Sequence, residues 1–283
     1  MGKKRTSLVL EGGGMRGAYT AGALSWLIDQ GIEFDNAYGI STGAVHLANY
    51  LMGSKEDLFT FSVDGITDKR IIGVKAFFHS GHIVDYEMLF QHILPEEYHF
   101  VLTPLKDCRT HACIGLYDLN QGKTGYVPIR EVGNWEMQAA TTLPILGKAV
   151  EKDGKQILDG GITDMIPIQA ALDDGCERFL IITTKAAGYV RKPAKKMIVR
   201  LMALVYPQCP QIAKDYAIRH LDYQKQISLI RELQEAGKAA YIYPSKTTKV
   251  TRLGGKREDL VNLYELGYSD MEARKEEILA LFQ

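Results

Sequence analysis

Three short stretches carry residues whose chemistry depends on their neighbours. The first is GISTG, where Ser41 sits two residues from both Gly39 and Gly43. A serine on a sharp turn between strand and helix needs small residues at plus and minus two. Its hydroxyl then stands clear of the sheet, beside a helix N-terminus, where it can act as a nucleophile. The second is Asp159-Gly160-Gly161. A carboxylate there either shapes a tight turn or serves a serine as base. An unperturbed aspartate, with a pKa of about 3.9, is a poor base at neutral pH, so the second role requires burial. The third is Gly12-x-Gly14-x-x-Gly17, directly after the apolar run 6–10. Glycines let backbone N–H groups close in on a ligand, and a following helix adds its positive end. Such a loop suits a phosphate, a carboxylate or the oxyanion of an ester under attack.

The elements around these stretches predict how they are positioned. A strand over 6–10 enters the glycine loop, and a helix over 18–30 follows, with Leu24, Leu27 and Ile28 on one face and Gly31 as its stop. A strand over 36–40 runs into Ser41, and a helix over 43–52 leaves it. Residues 64–98 are irregular and rich in aromatics. Strands over 111–118 and 124–128 flank an NQG turn, and a helix over 134–141 ends before Pro144. A hairpin over 149–158, turning at Asp153-Gly154, delivers Asp159. The run 178–184 reads as a buried parallel strand, 188–196 as a loop, 197–206 and 211–236 as helices, 239–245 as one more strand and 270–282 as a last helix. This alternation predicts a three-layer α/β/α fold around a mainly parallel sheet. Because a strand returns so late, residues 1–283 read as a single domain, mostly helical from about 190.

Composition narrows the function classes. The chain has 283 residues, 46% of them hydrophobic, with 34 basic and 34 acidic side chains. That balance offers no basic footprint for nucleic acid. Cys108, Cys113, Cys176 and Cys209 show no CxxC and no metal spacing, which predicts reduced thiols and a cytoplasmic location. No apolar run reaches the length of a membrane span. The run after the basic N-terminus stops at Glu11, too soon for a signal peptide. MGKKRT fits the loose myristoylation pattern and reads as coincidence. No metal is expected: His79, His82, His92, His99 and His111 lack ligand spacing, and no carboxylate cluster suits calcium.

Two rival sites need weighing. A dinucleotide cradle requires an acidic residue near the end of the second strand. Asp29, Glu33 and Asp35 lie close by count, but that strand ends in Ser41. A nucleotide-binding oxidoreductase is therefore the weaker reading of the glycines. A Ser–Asp–His triad would draw on His220, the one histidine after Asp159. It sits between Arg219 and Asp222 in a helical pattern and reads as a surface residue. His46, one turn after Ser41, reads as a packed histidine.

GGGMRG, GISTG and DGG, in that order, resemble the motifs of the patatin-like phospholipases. AATTLP at 139–144 and ITDMIPI after the aspartate are also similar to that family. The likeness runs from Leu8 to about Ile168 and continues weakly through AAYIYPS and LYELGYSD. It implies a patatin-like fold and hydrolysis of lipid acyl esters by a serine–aspartate dyad, without cofactor. Ser41 would then be the nucleophile and Asp159 the proton acceptor. Gly12, Gly13 and Gly14 would hold the oxyanion, and Arg16, Gly17, Gly39, Gly43, Gly160 and Gly161 would support the motifs. Thr141 and Met165 depart from the family's usual Ser and Asn. A non-catalytic lipid-binding protein remains the non-enzyme alternative. The segments 70–78 and 191–206 mix basic and apolar residues, so each is either a core-facing helix with a solvated basic face or a peripheral membrane contact. The exact lipid and the oligomeric state stay open.

Overall fold

The computed structural model describes residues 4–283 and gathers the apolar runs into one eight-stranded sheet. The myristoylation pattern at Gly2 lies outside the described residues. β1 (Thr6–Leu10) leads through the glycine loop to α1 (Gly17–Asp29), and β2 (Asn36–Gly39) leads through Ser41 to α2 (Thr42–Leu51). α3 (Lys55–Val63), α4 (Val74–Ser80) and α5 (Leu94–Glu97) follow, with a wide-turned helical stretch at Met88–Ile93. Then come β3 (His111–Asp118), β4 (Lys123–Pro128), α6 (Asn134–Thr141), β5 (Val150–Lys152) and β6 (Lys155–Asp159). The chain finishes with α7 (Ile168–Asp173), β7 (Arg178–Ile182), α8 (Lys196–Val205), α9 (Pro210–Glu235), β8 (Ala239–Ile242), α10 (Arg257–Ala273) and α11 (Lys275–Leu279).

The strand order is β5-β6-β3-β2-β1-β7-β8, with β4 also paired to β3. β3, β2, β1, β7 and β8 run parallel, and β4, β5 and β6 join antiparallel. Side chains alternate across the sheet. Leu8 and Leu10 join a core with α1, α2 and α10, while Val9 joins one with α7 and α9 on the other face. The sheet thus lies between two helical layers, which is the expected α/β/α arrangement. No helix among the described residues is long and apolar enough to cross a membrane.

Where one last helix is expected over 270–282, the structure has two: α10 begins earlier, at Arg257, and ends at Ala273, and α11 follows from Lys275 to Leu279. Gly267, in the middle of α10, is only a weak helix former in isolation. In the fold, its missing Cβ lets α10 lie on α1: a Cβ there would strike the Tyr19 carbonyl, and one at Gly22 would strike the Tyr264 carbonyl. Tyr19 also donates its hydroxyl proton to Asp270, at 2.9 Å. Alanine usually stabilises a helix by up to about 1 kcal/mol over glycine. Here Gly267→Ala is expected to destabilise the chain by about 1–3 kcal/mol through overpacking. Urea unfolding of the variant checks this; unchanged or increased stability would show that the two helices are not in such close contact.

Candidate active site

Ser41 stands in the turn after β2 with φ 57° and ψ −130°, a backbone region that non-glycine residues rarely adopt. Its flanking glycines are forced by close backbone approach. A Cβ at Gly39 would lie 2.6 Å from the Gly43 carbonyl oxygen, and one at Gly43 would lie 2.9 Å from the carbonyl oxygens of Leu10 and Glu11. The serine is 7% exposed and faces a cavity.

Asp159 reaches it through strand register. β4 occupies one edge of β3. On the other edge β2 pairs as far as Gly39 opposite Ile114, and β6 takes over with Asp159 opposite Leu116. The turn carrying the serine and the end of the strand carrying the aspartate are therefore only two β3 residues apart, about 7 Å. Gly115 lies between those pairing positions. A Cβ on it would strike Ile40, and a Cβ on Gly160 would lie 2.6 Å from its carbonyl. Sequence reading passed over Gly115, because a glycine inside a strand pattern signals close approach only once its neighbours are known.

The Asp159 backbone N–H donates to the Thr142 carbonyl at 3.1 Å, and its Oδ1 accepts the Gly161 N–H at 2.7 Å. Burial pushes the carboxyl above the ordinary aspartate range. A hydrogen bond from the Ser41 hydroxyl, the Gly161 amide and the charges of Arg219 and Arg252 work the other way without cancelling that rise.

The glycine loop packs directly on the serine: a Cβ at Gly12 would lie 2.8 Å from the Ser41 Cβ. The structure corrects the expectation that three glycine amides stand free together. The Gly12 N–H donates to the Met165 carbonyl at 3.2 Å, and the Gly13 N–H donates to the Thr42 hydroxyl at 3.2 Å. Gly14, at φ 58°, is the one whose N–H has no acceptor among the described residues. The Arg252 carbonyl pins the loop's far end by accepting the Met15 N–H at 3.0 Å. Gly17 lets α1 approach α2, since a Cβ there would lie 2.8 Å from the His46 Nε2. Arg16 is half-buried, and its Nε has no acceptor. Gly161 places a backbone against Asp159, Ile40 and Arg219 where a Cβ would crowd them.

Two cavities adjoin these residues. One, with about 540 Å³ of empty space, is lined by Gly14, Ser41 and Thr141 together with apolar side chains such as Phe61, Ile66 and Leu89. The other, of about 610 Å³, holds Asp159, Arg219 and Arg252. Leu143 and Arg252 line both. The rival residues lie apart. His46 is driven to a pKa of about 3 by burial, so it is neutral, and it packs edge-on to Phe61 at 5.7 Å. His220 makes no hydrogen bond to Asp159 or any other described residue. Of the acidic residues near β2, Asp29 binds Lys55 and Asp35 binds Thr6. Met165, the departure after the aspartate, is buried, with its carbonyl holding the Gly12 amide.

The model of the family described as "Patatin-like phospholipase" matches residues 8–172, more than half of the chain. The chain belongs to the patatin-like phospholipase family. A second family model, "Domain of unknown function (DUF6363)", matches residues 209–283. The chain is similar to "Uncharacterized protein YjjU" of Escherichia coli (strain K12), at 24% identity over 274 residues, covering 93% of this chain and 75% of that protein. Its fold is similar to the crystal structure of VipD from Legionella pneumophila, with a TM-score of 0.51 at 11% identity, covering 99% of this chain and 67% of that one. Beyond the patatin match, the chain thus carries α9 and the loop that supplies Arg252.

A raised carboxyl pKa weighs against the fold at neutral pH. The stability tied to protonated Asp159 is full below the ordinary aspartate value and lost as pH rises through the raised one. Asp159→Asn keeps an acceptor for the Gly161 N–H and stays neutral. It is expected to raise the Tm at pH 7, with the gain shrinking toward about pH 4. Thermal unfolding at both pH values checks this, and a lower Tm at pH 7 would contradict it.

Proposed function

We propose that the chain is a serine acyl hydrolase that cleaves carboxylic esters of lipids, of the phospholipase or lysophospholipase type. The observation that carries this reading is the register of β3, which sets Ser41 and Asp159 side by side between two cavities. In this mechanism the Ser41 Oγ attacks the ester carbonyl while Asp159 accepts its proton. The free Gly14 N–H and the positive end of α2 hold the tetrahedral oxyanion; one such donor is worth about 3 kcal/mol. Gly12 and Gly13 fix the path of the loop through their own hydrogen bonds. The alkoxide leaves with the proton from Asp159, and the acyl group stays on Ser41. Asp159 then activates a water that releases the fatty acid. The apolar cavity accepts the acyl chain. Residues 1–283 work as one unit in this reading, because Arg219 and Arg252 reach the site from the C-terminal third.

The same reading gives the enzyme a peripheral membrane contact. On α8, Met197 and Leu204 are 70% and 77% exposed, and on α4 Phe78 is 84% exposed. The inward side of α8 supplies Ile198 and Met202 to the cavity of Asp159, while Ile71, Ile72 and Val84, flanking α4, line the cavity of Ser41. Both exposed apolar helices therefore border the cavities a lipid would enter, and Lys195 and Lys196 stand at the start of α8.

Hydrolysis of a short-chain p-nitrophenyl ester tests the chemistry. Ser41→Ala and Asp159→Asn are each expected to lose at least about a thousandfold in kcat, whereas His220→Ala stays active. A folded wild type inert on this ester and on lysophospholipid would favour the lipid-binding alternative. Co-sedimentation with anionic phosphatidylglycerol vesicles tests the contact. Charge reversal at Lys195 and Lys196 is expected to weaken binding, and undiminished binding would remove that segment from the membrane surface.

A further inference from the structure

The C-terminal third brings arginines to the site without carboxylates to match them. Arg219, on α9, donates its Nε–H to the Gly161 carbonyl at 2.6 Å, and its guanidinium carbon lies 5.3 Å from the centre of the Tyr216 ring. Its terminal nitrogens have no hydrogen-bond or ion-pair partner among the described residues, and the residue lines the cavity of Asp159. Arg252, between β8 and α10, lines both cavities, and its side chain forms no hydrogen bond or ion pair among the described residues. Two more guanidinium groups act on this pair. Arg191 lies over Tyr223 at 4.8 Å, and Arg16 follows the glycine loop; the Nε of each is buried with no acceptor. The carboxylates acting on the group are Glu11 and Asp159. Glu11 is already bound by Lys185 and by the Thr184 N–H, and Asp159 by Ser41 and Gly161. Burial, then the charges of Arg252 and Arg191, push the Arg219 guanidinium down to about 9. Half-buried cations that outnumber their counter-charges are costly unless an anion joins them. Guanidinium forks fit phosphate oxygens in shape as well as charge.

We propose that Arg219 and Arg252 form a subsite for the phosphate of the substrate's head group, so that the ester cleaved is a phosphate-bearing lipid and not a neutral glyceride. This rests on the acyl-hydrolase reading above. Arg252 lies where the two cavities meet, so an acyl chain in one and a phosphate in the other would hold the ester between them at Ser41. A glycerol backbone has that form, with a few bonds between carbonyl and phosphate. Both arginines lie beyond residue 172, where the patatin match ends, and within the region of unknown function at 209–283. That region then acts as the specificity element of the site.

The test pairs two esters with the same acyl chain, lysophosphatidic acid and monoacylglycerol. Both are assayed as monomers with the full chain, Arg252→Gln, Arg219→Gln and Arg252→Lys. The unmutated chain is expected to prefer the phosphate ester in kcat/KM. Each glutamine variant is expected to cut that preference by about tenfold, mainly through KM, and Arg252→Lys to recover part of it. A preference unchanged by both glutamine variants, or absent from the unmutated chain, overturns the proposal. If the glutamine variants do not fold, competitive inhibition of the unmutated chain by glycerol 3-phosphate supports the subsite, and its absence overturns it. Calorimetric titration of Ser41→Ala with glycerol 3-phosphate and with inorganic phosphate needs no turnover. If no ester is cleaved, the hydrolase reading fails by itself. Titration then decides whether the arginines bind phosphate. Binding of inorganic phosphate alone would mean a free-anion site and would overturn the head-group assignment.

Discussion

One edge of β3 is shared by two strands, and the site depends on that sharing. β2 leaves the edge after pairing with Ile114, and β6 enters it opposite Leu116. The serine turn and the aspartate end are thereby set by hydrogen-bonded register and not by flexible loops. A slip of one residue in either strand would turn its side chains to the other face. The glycines at 39, 43, 115 and 160 follow from this, since two chain reversals meet where a Cβ has no room.

Burial sets the electrostatics. Excluding water raises the Asp159 carboxyl above the ordinary aspartate range, and the nearby arginines limit the rise. The same arginines are poorly neutralised, because Glu11 is taken by Lys185 inside the protein. A fold selected for stability alone would not leave a buried carboxyl without an ion pair, among the described residues, beside guanidinium groups that also lack one there. The strain at Ser41 belongs to the same pattern of local cost at a site.

The region after residue 190 is joined to the patatin core at three levels. β8 extends the parallel sheet at β7, α10 lies on α1 through paired glycines, and the Arg252 carbonyl holds the glycine loop. This region contributes contacts to the loop, to the serine cavity and to the aspartate cavity. It serves as a wall of the site as well as a support for the sheet.

The sequence by itself determined the α/β/α class, most of the strands and the family, because apolar runs and glycine spacing are local signals of backbone geometry. It marked Ser41, Asp159 and the glycine loop through their motifs. Other features rest on contacts between residues far apart in the chain, and only the tertiary structure decided them. Gly267 is only a weak helix former until α1 lies against it. Gly115 is an ordinary strand glycine until Ile40 and Gly160 meet over it. The glycine amides look alike until Met165 and Thr42 occupy the first and second and leave the third free. Arg219 and Arg252 look like solvated charges, for no local pattern reveals that a helix and a loop from the far end of the chain close over a carboxylate at Asp159. Motifs record which atoms are present; the distances between them, and the water excluded around them, come only from packing.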